Sequence, residues 1–74
     1  MDSIPFLHAG QVFTIIFEDD LAFAEVRGIL DRLLAQDAFD IVVQEARRES
    51  YWIDLENSSF RVWVSEMDVI VQRQ

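Results

Sequence analysis

The sequence contains no cysteine and no lysine, and it has only one proline and two glycines. Without cysteine the chain can form neither a disulfide framework nor a thiolate metal site, and it has no cysteine nucleophile. The same absence favours a reducing compartment, so we expect a cytoplasmic protein. Since the glycines stand alone at Gly10 and Gly28, there is no glycine-rich loop that could cradle a phosphate group.

Positive charge is also scarce. Fourteen acidic residues stand against six basic ones, all of them arginines, and the formal net charge at pH 7 is −8. Direct binding to nucleic acid requires clustered cations that displace counterions from the phosphates, so this balance argues against it. Nine of the acids but only two of the arginines lie in residues 1–46, which predicts that the negative field comes mostly from that part of the chain.

The apolar content is high enough for a folded core. Apolar residues make up 51% of the 74 positions and include six phenylalanines, which predicts one small folded domain over residues 1–74. No segment approaches the ~20 consecutive apolar residues that cross a bilayer, and the first residues lack the basic charge of a secretory signal. We therefore expect neither a membrane partner nor secretion.

The clearest secondary-structure pattern lies in residues 50–65. Two runs of alternating apolar and polar residues flank a polar break at residues 56–59, which predicts a β-hairpin with a four-residue loop. In that register Leu55 faces Phe60 across the strands. The apolar residues of both runs then share one face of the hairpin, as a strand that covers a core requires.

The opposite face of this hairpin carries two tryptophans. The predicted register pairs Asp54 with Arg61 and Trp52 with Trp63, so that opposite charges and aromatic rings meet across the strands. Both indoles then point away from the core.

The first part of the chain predicts strands. Residues 4–7 should be extended, because proline disfavours helix for the residue before it, and residues 8–10 should form a turn. Whether the extended segment is an edge strand stays open. Residues 11–17 are almost entirely β-branched or aromatic and predict a strand at or beside the centre of a sheet.

A helix is predicted over residues 21–36. Asp19 or Asp20 should cap its first turn, where a carboxylate accepts free amide hydrogen bonds and suits the helix dipole. Six apolar residues at helical spacing should face the sheet. They are Phe23, Val26, Ile29, Leu30, Leu33 and Leu34.

Two further strands complete the prediction. Residues 41–46 read as a strand, and residues 69–72 as a last strand that folds back on the hairpin and brings Ile70 beside Trp63. The predicted fold is α+β, with one α-helix packed on a four- to five-stranded antiparallel sheet in the order β-α-β-β-β-β.

The outward tryptophans suggest a contact surface. Trp52, Trp63 and Ile70 would form an apolar patch. Its polar rim would be Asp54, Glu56 and Arg61, and tryptophan and arginine are favoured in binding hot spots. The alternative is that the sheet closes over these rings, or that residues 1–10 cover them.

A second candidate surface is acidic. A rigid array of carboxylates can imitate a phosphate backbone and occupy the nucleic-acid channel of another protein. The candidate contacts are Glu18, Asp19, Asp20, Glu25 and Asp31. The alternative is that this charge only keeps a small domain soluble.

Catalytic and metal sites find little support in the sequence. The sole histidine, His8, has no serine and acid at a known triad spacing, and the acids lack the alternation and central glycine of a calcium loop. We therefore expect no enzyme, no metal and no cofactor. The small residues Ala24, Gly28 and Ala35 lie on one side of the predicted helix, where they would allow close packing on its own sheet or on a second copy.

These observations favour a non-catalytic protein-binding module. Its partner is another protein, which could be a nucleic-acid-binding one whose basic site this chain masks, as inhibitors of the anti-CRISPR, anti-restriction or immunity type do. The alternative is a homodimeric or larger structural or chaperone-like module that buries the face of Trp52 and Trp63 against a second copy.

Overall fold

A computed structural model describes residues 1–56 and 58–74, which form two layers of secondary structure. In chain order the elements are β1 (Asp2–His8), β2 (Gln11–Phe17), α1 (Phe23–Ala35), α2 (Phe39–Arg48), β3 (Tyr51–Leu55), β4 (Ser58–Ser65) and β5 (Asp68–Arg73). The strands form one sheet in the spatial order β1-β2-β5-β4-β3. The predicted α+β class is confirmed.

The detailed architecture differs from the prediction in three ways. The described residues form two helices instead of one, and their element order is β-β-α-α-β-β-β. The sheet is mixed, because β2 and β5 pair in parallel while the other neighbours are antiparallel. Strand β5 therefore lies at the centre of the sheet, and β2 lies beside it.

The first two strands form a hairpin. The extended segment predicted at residues 4–7 belongs to β1, an edge strand, and the predicted turn contains a two-residue loop at Ala9 and Gly10. Their φ angles of 50° and 76° are both positive, as the loops that match the twist of a hairpin require. Glycine adopts this conformation without strain, which explains Gly10.

Helix α1 is close to the predicted one, but its cap is not. Asp19 and Asp20 lie before the helix and do not cap it; the amide of Ala22 instead donates to the Glu25 carboxylate at 3.2 Å. Four of the six predicted core residues are buried: Val26, Ile29, Leu30 and Leu33. Phe23 and Leu34 are exposed, because they lie at the two ends of the helix and away from its buried side.

The strand predicted over residues 41–46 is wrong, because this segment belongs to helix α2. The β-branched run at Ile41, Val42 and Val43 favours a strand by local propensity. The buried residues nevertheless follow helical spacing, and packing of that side against the sheet outweighs the propensity. They are Phe39, Val42, Val43 and Ala46.

The predicted register of the β3–β4 hairpin is also wrong. Leu55 pairs with Ser58, so two residues separate the strands instead of four, and Asn57, the second of them, lies outside the described residues. Glu56 before it has φ 51°, which suits a tight hairpin loop. The shorter loop adds pairs to the ladder and so stabilises this register.

A register shift of two residues leaves every side chain on its predicted face, because the period of a strand is two. It does change the cross-strand partners. Trp52 lies opposite Arg61, not Trp63, and Asp54 lies opposite Ser59, not Arg61.

The last strand follows the prediction more closely. Trp63 lies opposite Ile70, and Val69 and Val71 face the core, as expected. The connection is tight, because only Glu66 and Met67 lie between the paired residues Ser65 and Asp68.

The core lies between the two helices and one face of the sheet. Both helices contribute to it, together with alternate residues of β2, β3, β4 and β5. The largest of its fully enclosed side chains are Phe60, Ile15, Ile29 and Val26. Both helices of the described chain pack on the same side, so neither of them covers the other face of the sheet.

Candidate interaction surface

We call this uncovered side the open face. It is formed by the strand residues that alternate with the buried ones, together with Glu18, which continues β2. Its members in the described chain are Ser3, Pro5, Leu7, Val12, Thr14, Ile16, Glu18, Trp52, Asp54, Ser59, Arg61, Trp63, Ser65, Asp68, Ile70 and Gln72. Both tryptophans lie on it, as the alternation predicted.

Two tryptophans and an arginine form a compact cluster on the open face. Trp52 and Arg61 are cross-strand partners, and Trp63 follows Arg61 by two positions on the same side of β4. The Arg61 guanidinium carbon lies 6.0 Å from the ring centre of Trp52 and 5.1 Å from that of Trp63. Its Nε donates to the Ser50 hydroxyl at 2.7 Å, which fixes the guanidinium between the rings. We call these three residues the tryptophan–arginine cluster.

The two indoles differ in exposure. Trp52, on the edge strand, is 50% exposed, whereas Trp63 is less exposed and mostly covered by its neighbours. Neither is sealed in the core, and strand β1 does not lie over them, because it joins the far edge of the sheet. The cluster therefore presents aromatic surface to solvent with one ring more accessible than the other.

An apolar row continues from the cluster across the sheet. Trp63 pairs with Ile70 on β5, and Ile70 pairs with Ile16 on β2. Together with Met1 and Glu18 they line a groove of about 230 Å³. The predicted neighbours Trp63 and Ile70 are thus brought together, and Ile16 is a member of the surface that sequence reasoning missed.

A polar row runs beside the apolar one. The Gln72 amide donates to the Glu18 carboxylate, and Gln72 is in turn the cross-strand partner of Arg61. Asp54 accepts a hydrogen bond from the Ser59 hydroxyl at 2.5 Å. Of the five acids predicted as contacts, Glu18 is the one that the sheet places on the open face.

Two of the other predicted acids are held by one arginine. Arg73 donates to both oxygens of Glu25 at 2.6 and 2.7 Å and lies 4.0 Å from Asp20. These hydrogen bonds from Arg73, helped by the Ala22 amide, hold the pKa of the Glu25 carboxyl below its usual range. Arg73 was not predicted as a site residue, because nothing local in the sequence indicates its contact with Glu25.

The remaining two acids also have partners. Asp19 accepts a hydrogen bond from the amino group of Met1 at 2.5 Å, which raises the pKa of that amine. Asp31 lies 3.1 Å from Arg27, one turn away on the outer side of α1. The predicted acidic array is therefore divided between the end of the sheet and helix α1, and each member has a partner.

The small residues of α1 do not pack on the sheet. Ala24 and Gly28 line an open groove of about 620 Å³ between α1 and the β3–β4 hairpin, with Leu55 and Phe60 on its other side. A Cβ added at Gly28 would meet nothing within 4 Å. The hypothesis that Gly28 permits close packing on its own sheet is therefore wrong.

His8 has a structural environment. Its ring lies 4.6 Å from that of Phe39, and its Nε2 is 3.1 Å from the Asp40 carboxylate. Asp40 belongs to the first turn of α2, so these contacts join β1 to the start of that helix.

Two features are absent from the described residues. Residues 1–56 and 58–74 hold no group of three or more histidine, aspartate or glutamate side chains placed to bind a metal ion. Neither helix in this part of the chain has the length and apolar content that crossing a bilayer requires.

The fold and this surface define a two-layer α+β domain with one uncovered sheet face. Models of known protein families, curated proteins and solved structures yield no match to the chain.

Proposed function

We propose that this chain is a non-catalytic protein-binding module that docks through its open face. In its most specific form, it inhibits a partner by masking a basic nucleic-acid-binding site, in the manner of anti-CRISPR, anti-restriction or immunity proteins. The alternation of residues, the uncovered face and the negative charge support this proposal together.

The observation that carries the proposal is the tryptophan–arginine cluster. An arginine between two indoles on an uncovered face combines the residue types that dominate binding hot spots. The Ser50 hydrogen bond and the packing of Trp63 beside Ile70 fix the cluster in place before any partner arrives. Less side-chain entropy is then lost on binding.

The charges of the open face indicate which kind of partner surface would bind to it. Among the described residues this face carries three carboxylates, from Glu18, Asp54 and Asp68, and one guanidinium, from Arg61. Arg61 is engaged by the indoles, so the surface offers an apolar centre with an acidic rim. A protein with an apolar patch surrounded by lysine and arginine would match it, and the net charge of −8 would speed the encounter.

The experiment is a comparative capture from a host lysate by the immobilised wild-type chain and three variants of it. Trp52→Ala and Arg61→Ala alter the cluster, whereas Ile41→Ala is the matched control, because Ile41 is 61% exposed on the outer side of α2. We expect one protein that wild type and the control retain and that the two cluster variants lose. Excess nucleic acid should release it, and raising the salt from about 50 to 500 mM should weaken its binding steeply.

Equal capture by all variants would refute docking through the open face. A captured protein that keeps its affinity in high salt and in excess nucleic acid would refute the masking mechanism.

A homo-oligomeric module is the second candidate. Three large apolar side chains of the open face are at least half exposed: Leu7 at 70%, Val12 at 59% and Trp52 at 50%. A second copy could bury them face to face, although the negative charge of each copy opposes this. Sedimentation at several protein and salt concentrations tests it, and a monomer at the highest concentration in high salt would exclude it.

A further inference from the structure

The sheet has two free edges, formed by β1 and β3, and they differ in how they could receive another strand. An edge strand presents peptide N–H and C=O groups that have no partner, and natural proteins commonly block such edges with proline or lysine. The chain has no lysine and a single proline, Pro5, which lies in β1.

The register shows which peptide groups of β3 point outward. Next to a two-residue loop, the flanking residues exchange both backbone hydrogen bonds, and every second pair along the hairpin does the same. Leu55 and Ser58 flank the loop, so Leu55, Ile53 and Tyr51 bond toward β4. The peptide groups of Trp52 and Asp54 therefore face the free edge.

A contact on the far side of β4 agrees with this alternation. Since Ser58 bonds toward β3, Ser59 should bond toward β5. The backbone N–H of Gln74 indeed donates to the Ser59 carbonyl at 3.0 Å.

The same reasoning shows that the β1 edge is blocked. His8 and Gln11 flank the first loop, so the outward-facing residues of β1 are Ser3, Pro5 and Leu7. Proline has no N–H group, so the middle of this edge lacks its donor.

The β3 edge has no such block. The register directs the peptide N–H and C=O of Trp52 and Asp54 away from β4, and among the described residues no turn, loop or side-chain hydrogen bond involves these groups. We propose that this edge accepts an extended segment of the partner protein, which adds a sixth strand beside β3. This inference rests on the proposed function and names the structural element that the partner contributes.

The side chains of β3 define the chemistry of that segment. On the open face it meets the exposed Asp54 carboxylate and the half-exposed Trp52 ring, which favour lysine or arginine. On the helix side it meets Tyr51 and Leu55, which are half-buried and favour apolar residues. The segment is therefore one in which basic and apolar residues alternate. A second copy fits less well, because each copy carries a net charge of −8.

The probe is a capped eight-residue peptide of alternating lysine and valine. Its matched control is the same peptide with every backbone amide N-methylated, which keeps the side chains and charges but removes the donors. Binding is followed by NMR on the labelled full chain. We expect hydrogen exchange to slow at the Trp52 and Asp54 amides, and the N-methylated peptide to bind about tenfold more weakly, the loss of one or two hydrogen bonds.

Two variants of Asp54 separate the backbone from the charge. Asp54→Ala removes the carboxylate, and Asp54→Pro removes the carboxylate and the outward N–H without breaking a bond to β4. We expect Asp54→Pro to bind the unmethylated peptide about tenfold more weakly than Asp54→Ala. Circular dichroism verifies that both variants fold, and Pro5 at an outward position of β1 shows that the sheet accommodates proline there.

Several results would overturn strand addition. They are equal binding of the two peptides, equal binding by the two Asp54 variants, exchange protection centred elsewhere, or no binding at millimolar peptide. A different result would refute the proposed function, namely capture of the partner that is unchanged by Trp52→Ala and Arg61→Ala. The two failures are therefore distinguishable.

Discussion

Arg61 and Trp63 lie on the same side of β4, with the guanidinium carbon 5.1 Å from the indole ring centre. Trp52 completes the arrangement from the edge strand, 6.0 Å from the same guanidinium. At partly exposed sites such cation–π contacts contribute about 0.5–1 kcal/mol each. The cluster thus orders the open face while it keeps aromatic surface accessible.

The two indoles should be separable by fluorescence quenching. The variant Trp63→Phe retains only Trp52, which is 50% exposed. The variant Trp52→Phe retains only Trp63, which is less exposed. We expect acrylamide, an uncharged quencher, to quench Trp63→Phe more strongly than Trp52→Phe. The unfolded variants serve as controls and should quench alike, and a reversed order in the folded state would contradict the placement of the rings.

Acid should destabilise the domain partly through Glu25. The Arg73 hydrogen bonds lower the pKa of Glu25 from its ordinary 4.5, so its stabilising contribution is present above that value and is lost as pH falls through the lower folded-state pKa. We expect Glu25→Gln to be less stable than wild type at pH 7 and to approach it under acid conditions, as measured by urea unfolding. Asp31→Asn is the control variant. A difference in the free energy of unfolding between Glu25→Gln and wild type that stays the same at all pH values would contradict this role of Glu25.

Adjacent residues of α2 should test its helical structure. Val42 and Val43 are neighbours in sequence and both are buried, which a helix allows, whereas Ile41 is 61% exposed. We expect Val42→Ala and Val43→Ala each to lower the free energy of unfolding by about 2 kcal/mol, and Ile41→Ala to change it by under about 0.5 kcal/mol. A loss at only one of the two valines, measured by urea unfolding, would indicate the alternation of a strand.

The two glycines should respond in opposite directions to alanine. Gly28 lies within α1 and an added Cβ meets nothing within 4 Å, so Gly28→Ala should stabilise the domain by about 0.5–1 kcal/mol. Gly10 has φ 76°, where a Cβ is strained, so Gly10→Ala should destabilise it by about 1–2 kcal/mol. Thermal melting of both variants checks this, and a loss of stability in Gly28→Ala would show that the α1 groove is already occupied.

Sequence periodicity predicted the parts of the fold in which side-chain direction depends on spacing alone. The helical spacing of Val26, Leu30 and Leu33 identified α1, and the alternation through the β3–β4 hairpin identified its two faces. Periodicity did not identify α2, because β-branched residues and helical spacing gave opposite indications there.

The sequence predicted which residues share the candidate site, but not which of them are neighbours. Trp52, Trp63, Arg61 and Ile70 were expected on one face and lie on it. Their neighbours were not predicted, because a register shift of two residues changes every cross-strand pair but no face. Nothing in the local sequence indicates the contact of Arg73 with Glu25, since 48 positions separate them along the chain.

The sequence by itself determined the α+β class, the negative charge and the side of the hairpin on which the indoles lie, because these depend on composition and on spacing within one segment. The tertiary structure decided that both helices pack on the same side, that β2 and β5 pair in parallel, and that β1 and β3 form the edges of the sheet. Those features depend on which distant segments meet, and local patterns do not contain that information.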